Sequence, residues 1–151
     1  MLFLLVAACG QQSTDEASAE LVQLLDDFRA AVNDYDGEAV QALVTDDYVS
    51  HESYYDWVGS QLLFSPGNIE LDEVLAGLEG YLALDQYQYG DVGAASVFGD
   101  GPWYVTQYEE VTSVDYEYQG TAVYVVEDQE GTLRLAAKSW TGIRSVPAIG
   151  D

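Results

Sequence analysis

The sequence predicts an α+β fold, three N-terminal helices packed on a curved antiparallel sheet, and three observations carry that expectation. Apolar residues recur at three- and four-residue steps as far as Leu84 and at every second residue beyond it. Gly99-Asp100-Gly101-Pro102, Gln119-Gly120 and Gln129-Glu130-Gly131 cut the second part into four runs of strand length. The chain has 151 residues and is 48% hydrophobic, which suits one domain around one core.

The first helix is expected from Ser18, a residue able to cap it, with Leu21, Leu24, Leu25, Phe28, Val32 and Tyr35 as its apolar stripe; Asp36-Gly37 ends it. A second, short helix runs from Glu38 to about Thr45, and Tyr48 to Glu52 is long enough for one short strand. Residues 53–68 read as an irregular aromatic segment, with Tyr54, Tyr55, Trp57 and Phe64, closed by the turn signal Ser65-Pro66-Gly67 and suited to a lid. The third helix spans about Ile69 to Leu84, where Gly77 and Gly80 suggest close packing on a sheet. The four-stranded meander follows as about Tyr87–Phe98, Trp103–Tyr116, Thr121–Glu127 and Thr132–Ile143. Helices laid on one concave face make a cone, with a space between the layers that side chains must fill or line.

Met1 to Ala8 is an apolar run far short of the roughly 20 residues that span a bilayer as a helix. It reads as the end of a signal peptide. Val6-Ala7-Ala8-Cys9 resembles the lipobox of bacterial lipoproteins, which implies that Cys9 is acylated and anchors the protein on the extracytoplasmic side of a membrane, in the cell envelope. The expected organisation is therefore residues 1–9 as signal end with lipobox, 10–17 as tether, 18–144 as the domain and 145–151 as a tail. With the only cysteine so used, no disulfide is expected.

Twenty-seven acidic residues against four basic ones give a net charge of −23, well beyond the magnitude of about 2–8 usual for a small domain. Arg29, Arg134, Lys138 and Arg144 cannot assemble a basic patch, so nucleic acid is excluded as a partner. Such a charge suits solubility in a saline habitat, or a surface that collects cations or a basic partner. One histidine and one acylated cysteine leave only carboxylates for a metal, and these lack the spaced calcium-loop pattern. No phosphate loop and no nucleophile elbow is present, so neither metal nor cofactor is expected.

The segment Asp36-Gly37-Glu38-Ala39-Val40-Gln41-Ala42-Leu43-Val44-Thr45-Asp46-Asp47-Tyr48-Val49-Ser50-His51-Glu52, with the order of elements around it, resembles the nuclear-transport-factor-2-like superfamily from Ser18 to Ile143. That superfamily includes ketosteroid isomerases, SnoaL-like polyketide cyclases and many non-catalytic binding domains. Counted without gaps, the resemblance puts the isomerase's catalytic base on Glu52 and its oxyanion-hole tyrosine on Phe28. Phe28 cannot donate a hydrogen bond to an oxyanion. The isomerase's second acid has no match among Gln107, Tyr108 and Glu109, which argues against steroid isomerisation.

The candidate acid–base residues are thus Glu52 and His51. As neighbours on a strand they point to opposite faces, so only one can face a pocket. Twelve tyrosines are the other unusual feature, and Tyr124, Lys138 and Trp140 sit at alternate strand positions where they could join a pocket wall. Phe28, Tyr54, Trp57, Tyr108, Tyr124 and Trp140 are the expected lining, a set suited to an aromatic or amphipathic ligand. Two readings follow. In the first, this is a non-catalytic envelope lipoprotein whose cone binds a small molecule or a protein partner, and which can form a homodimer. In the second, it is a cofactor-free SnoaL-like lyase, isomerase or cyclase working by general acid–base chemistry.

Overall fold

Leu21, Leu24, Leu25, Phe28, Ala31 and Val32 return at helical spacing, and in the computed structural model they form the buried stripe of α1 (Asp15–Asn33). The structure describes residues 15–58 and 61–146, with side chains described for 19–56 and 67–146. Cys9 and the lipobox lie outside the described residues. So do residues 147–151, most of the expected tail.

The end of α1 is fixed by its own backbone. Tyr35 takes a left-handed conformation (φ 56°), and the Asp36 amide donates back to the Ala31 carbonyl at 2.9 Å, closing the last turn. Asp36 then caps α2 (Gly37–Leu43), its carboxylate accepting from the Ala39 amide at 2.9 Å. The Asn33 side chain bonds both backbone groups of Tyr89, at 3.0 and 2.7 Å, and the Tyr35 hydroxyl donates to the Tyr87 carbonyl at 3.1 Å. These bonds stitch the helix end to a distant strand and bring two tyrosines beneath the helices.

The α+β class holds, and the sheet is larger than the sequence suggests. The short strand expected at Tyr48 to Glu52 is part of the long β1 (Val44–Val58), and the segment expected as a lid, 53–68, is divided between the end of β1 and the return arm of a hairpin, β2 (Gln61–Glu70). Pro66 and Gly67 signal a turn, but β2 is an edge strand, where a residue lacking an amide hydrogen is tolerated. The expected third helix is broken at Gly80 into α3 (Leu71–Glu79) and α4 (Tyr81–Leu84). Gly77 packs on an aromatic ring, not on the sheet: a Cβ there would meet the Tyr81 ring at 3.0 Å.

The remaining strands are β3 (Gln88–Val92), β4 (Ser96–Phe98), β5 (Trp103–Thr112), β6 (Glu117–Gln129) and β7 (Thr132–Ser145). Their order in the sheet is β2-β1-β7-β6-β5-β3, with β4 beside β5. The pairing is antiparallel except that β1 runs parallel to β7, so the sheet is mixed. Glu130 and Gly131, both with positive φ, make the two-residue β6–β7 turn. The Gln119-Gly120 turn expected from sequence lies within β6, and the chain actually reverses at 113–116. The core between the helices and the concave face gathers Leu21, Leu25, Val40, Leu78, Val105 and Leu135.

Candidate functional site

Strand alternation and register lay the concave face out as rows. Ser50, Glu52 and Tyr54 on β1 stand opposite Lys138, Trp140 and Gly142 on β7. The same rows continue as Tyr124, Ala122 and Gly120 on β6 and Val105, Gln107 and Glu109 on β5. Gly142 and Gly120 are paired where the two backbones come close, each glycine against a carbonyl of the other strand (Gln119 and Thr141), with the Trp140 indole lying over both. A Cβ would come within 2.5 Å of that ring at Gly142 and 2.6 Å at Gly120.

Between this face and α1, α3 and α4 lies a cavity of about 260 Å³. Phe28, Val74 and Leu78 close it from the helices, and Glu52, Lys138, Trp140 and several tyrosines form its floor and walls. The tyrosine rings are mutually tilted: Tyr54 and Tyr118 meet at 6.2 Å and 87°, Tyr87 and Tyr118 at 6.3 Å and 55°, Tyr118 and Trp140 at 6.4 Å and 74°. Burial, reinforced by neighbouring charges, raises the hydroxyls of Tyr87 and Tyr89 well above the ordinary tyrosine value. They are therefore proton donors at neutral pH and not bases.

Beside the cavity stands a buried ion cluster. Glu109, with no exposed surface, lies 3.1 Å from the Arg29 guanidinium and 3.1 Å from Lys138 Nζ, and it accepts a hydrogen bond from the Tyr124 hydroxyl. Arg29 also donates to Gln107 at 3.0 Å and pairs with Asp26 at 2.6 Å. Lys138 donates to the Tyr89 hydroxyl at 2.6 Å. Burial alone would raise the Glu109 carboxyl, but Lys138, the Tyr124 bond and Arg29 hold it below the ordinary carboxylate value. Burial alone would lower Lys138, and Glu109 together with Glu52 and the neighbouring tyrosines outweighs it, so the ammonium stays charged. Lys138 is a fixed cation and not a nucleophilic amine.

The structure places the sequence-predicted residues as follows. Phe28, Glu52, Tyr54 and Trp140 line the cavity. Tyr124 is wholly buried next to it, with its hydroxyl committed to Glu109. Tyr108 is 41% exposed and donates to Glu110 at 2.9 Å, because the inward face of β5 belongs to Val105, Gln107, Glu109 and Val111. The Trp57 side chain lies outside the described residues. His51 points away from the cavity, where Nδ1 meets Asn68 Oδ1 and Nε2 lies 3.1 Å from Ser53 Oγ. Alternation on β1 therefore separates His51 from Glu52.

Sequence reasoning did not single out Tyr48, Tyr81, Tyr87, Tyr89 and Tyr118 as lining, nor the Arg29–Glu109 pairing. One signal for the latter was present: Arg29 adjoins Phe28 in the apolar stripe, and Gln107 and Glu109 alternate with valines that are buried. Among the described residues no helix is long and apolar enough to cross a membrane, and no group of three or more His, Cys, Asp and Glu could hold a metal ion.

Helices over a curved, unclosed mixed sheet with an interior cavity define the nuclear-transport-factor-2-like fold, and the chain has it. No protein-family model and no curated protein matches the chain by sequence. Among solved structures, a protein of unknown function from Nostoc punctiforme, described as having a cystatin-like fold, is similar with a TM-score of 0.67 at 15% identity, over 89% of this chain and 96% of that one. An NTF2-like protein of unknown function from Pseudomonas putida is similar with a TM-score of 0.59 at 18% identity, covering 85% and 87%. A candidate scytalone dehydratase from Novosphingobium aromaticivorans has a TM-score of 0.63 at 11% identity, covering 90% and 93%. At such identities the likeness concerns the fold alone.

Proposed function

We propose that this chain is an envelope lipoprotein, anchored through Cys9, whose cone binds a small amphipathic molecule and does not turn it over. The observation that supports this reading is the state of the cavity's polar groups. Acid–base catalysis is efficient where titratable side chains of matched proton affinity converge on a substrate. Lys138 is tied to Glu109 and Tyr89, and Phe28 stands where the resembled isomerase has its oxyanion donor, so the wall beside Glu52 offers tyrosine hydroxyls in place of that matched acid. The cavity exceeds the roughly 150 Å³ that holds benzene in an engineered protein core, so a small ring compound can be enclosed.

Calorimetric titration of the full chain with small amphipathic ring compounds tests the binding reading, with a Val74→Trp variant that fills the cavity as its control. Saturable binding lost in that variant supports it, and binding unchanged by the filled cavity overturns it. The anchor is tested separately. Mass spectrometry of the native protein is expected to show acylated Cys9, and Cys9→Ser is expected to release the protein from membranes.

One observation favours a second reading, cofactor-free lyase or isomerase chemistry. Glu52, the residue aligned with the isomerase base, does face the cavity, among protonated tyrosine hydroxyls that can donate to a developing oxyanion. In that case Glu52→Gln lowers turnover by about 10²-fold or more.

A further inference from the structure

Three carboxylates reach the concave face beside aromatic rings, and two of them already hold a cation. Glu109 holds Lys138 at 3.1 Å, with Lys138 Nζ 4.7 Å from the centre of the Tyr89 ring and 5.5 Å from that of Tyr124. Asp56 holds Arg144 at 2.5 Å, with Arg144 Cζ 4.3 Å from the Tyr116 ring centre and 4.7 Å from that of Tyr54. A carboxylate on one side and two ring faces around the charge is thus how this chain houses a cation.

Glu52 is the third. It stands in register with Trp140, on the wall shared with Tyr87 and Tyr118, and it has no ion-pair or hydrogen-bond partner among the described residues. Its charge contributes to raising the hydroxyls of Tyr48, Tyr81, Tyr87, Tyr89 and Tyr118 and acts on Lys138 as well. Lys138, the one cation lining the cavity among the described residues, is held by Glu109 and is no substitute. Arg29 and Lys138 pair with Glu109 and Asp26, which leaves Glu52 and, at the exposed mouth, Asp85 lining the cavity without an ion pair among the described residues. The Trp140 indole N–H, which would favour an acceptor, is shut off from the cavity surface.

From this repeated arrangement we infer that the ligand supplies the missing cation: the cavity takes a small organic cation, an amine or quaternary ammonium carrying apolar substituents, with its charge at Glu52 and its apolar part against the helices. The inference rests on the binding reading above and names its ligand class. A quaternary ammonium is weakly hydrated and gains from ring faces as well as from the carboxylate.

The test uses the full chain and three probes that share a phenyl ring and differ in charge, at fixed ionic strength: benzyltrimethylammonium, benzyl alcohol and benzoate. Titration calorimetry is expected to show the cation binding at least about tenfold tighter than the alcohol, with no binding of benzoate, consistent with about 1.4 kcal/mol for one well-placed contact. Glu52→Gln is expected to abolish the cation preference and to leave alcohol binding unchanged. Alcohol or benzoate binding as tightly as the cation overturns the inference while leaving the binding reading in place. A cation preference that survives Glu52→Gln also overturns it, since the overall charge of −23 would then be its source. If none of the three binds, both readings fall.

Discussion

Glu109 and Glu52 belong to the concave face of one sheet, yet Glu109 is wholly buried between two cations whereas Glu52 is half-buried and has no ion pair among the described residues. The difference follows from what lies over each. Glu109 is covered by α1, which brings Arg29 down onto it, and the next strand but one contributes Lys138. Glu52 lies nearer the open edge of the sheet, under α3 and α4, whose residues lining the cavity are apolar or acidic except for the Tyr81 hydroxyl. In a chain with four basic residues, a carboxylate facing inward without one of them is available to something from outside. The first region holds the fold together, and the second can afford to meet a ligand.

Removing the Glu109 charge is the strongest way to break this contrast. Glu109→Gln leaves two buried cations facing an uncharged amide, and breaking a buried pair in this way costs about 3–5 kcal/mol. Urea denaturation is expected to show that loss, and the double variant Glu109→Gln with Lys138→Met to recover part of it. A Glu109→Gln protein as stable as the parent would mean that the cluster contributes nothing.

The same cluster sets a pH dependence whose sign is fixed by its two shifts. Glu109 lies below its ordinary value of 4.5 in the fold, so its contribution is present above that value and is lost as pH falls through the lower, folded one. Lys138 lies above its ordinary value of 10.5, so its contribution is present below that value and is lost only as pH rises through the higher, folded one. Stability is therefore expected to fall on the acid side below about pH 4.5. Denaturation midpoints at neutral and acid pH are expected to differ less in Glu109→Gln than in the parent.

A smaller effect sharpens the comparison at the residue lying between the two carboxylates. Trp140 occupies the trough left by Gly120 and Gly142, and a Cβ at Gly142 would come within 2.5 Å of its ring. Gly142→Ala sets a Cβ against the Gln119 carbonyl and the Gly120 Cα as well as the indole, so that backbone and ring must both shift, and it is expected to cost about 1–3 kcal/mol, as overpacking does. Thermal denaturation reads the cost. A cavity narrowed by the displaced ring would also weaken binding of any ring compound.

How much of this is legible in the sequence depends on the range of the interaction. The helices and the period change after Leu84 are local patterns, as is the alternation Lys138, Trp140, Gly142. They predict both the fold class and part of the cavity wall. Glu52 follows from its place in the Asp36–Glu52 segment, and the neighbouring His51 is turned away by the same two-residue period that turns Glu52 in. Gly120 misleads because a glycine in a strand has the same appearance whether it makes a turn or lets a neighbouring strand and its ring come close, and only the contacts with Thr141, Trp140 and Gly142 decide. The parallel pairing of β1 with β7 joins segments about ninety residues apart, and nothing local in either strand announces its partner. Tyr87 and Tyr89 reach the cavity through bonds from Tyr35 and Asn33, again a long-range contact.

The smallest expected effect is the most informative about the second region. If Glu52 is free, removing its charge breaks no native contact, and Glu52→Gln is expected to change stability by no more than about 0.5 kcal/mol, the range of substitutions away from packed or paired sites. Glutamine keeps the volume, so the cavity and its rings stay as they are, and only the charge and the capacity to exchange a proton are lost. The measurement is a urea titration of the parent and variant side by side with Glu109→Gln. A loss for Glu52→Gln approaching that of Glu109→Gln would mean that Glu52 is bound up in the fold, through Lys138 or the surrounding tyrosines, and that the two carboxylates do the same work. A negligible loss, combined with a changed affinity for a cation, would assign the one to folding and the other to the ligand, because no single structural role moves binding without moving stability.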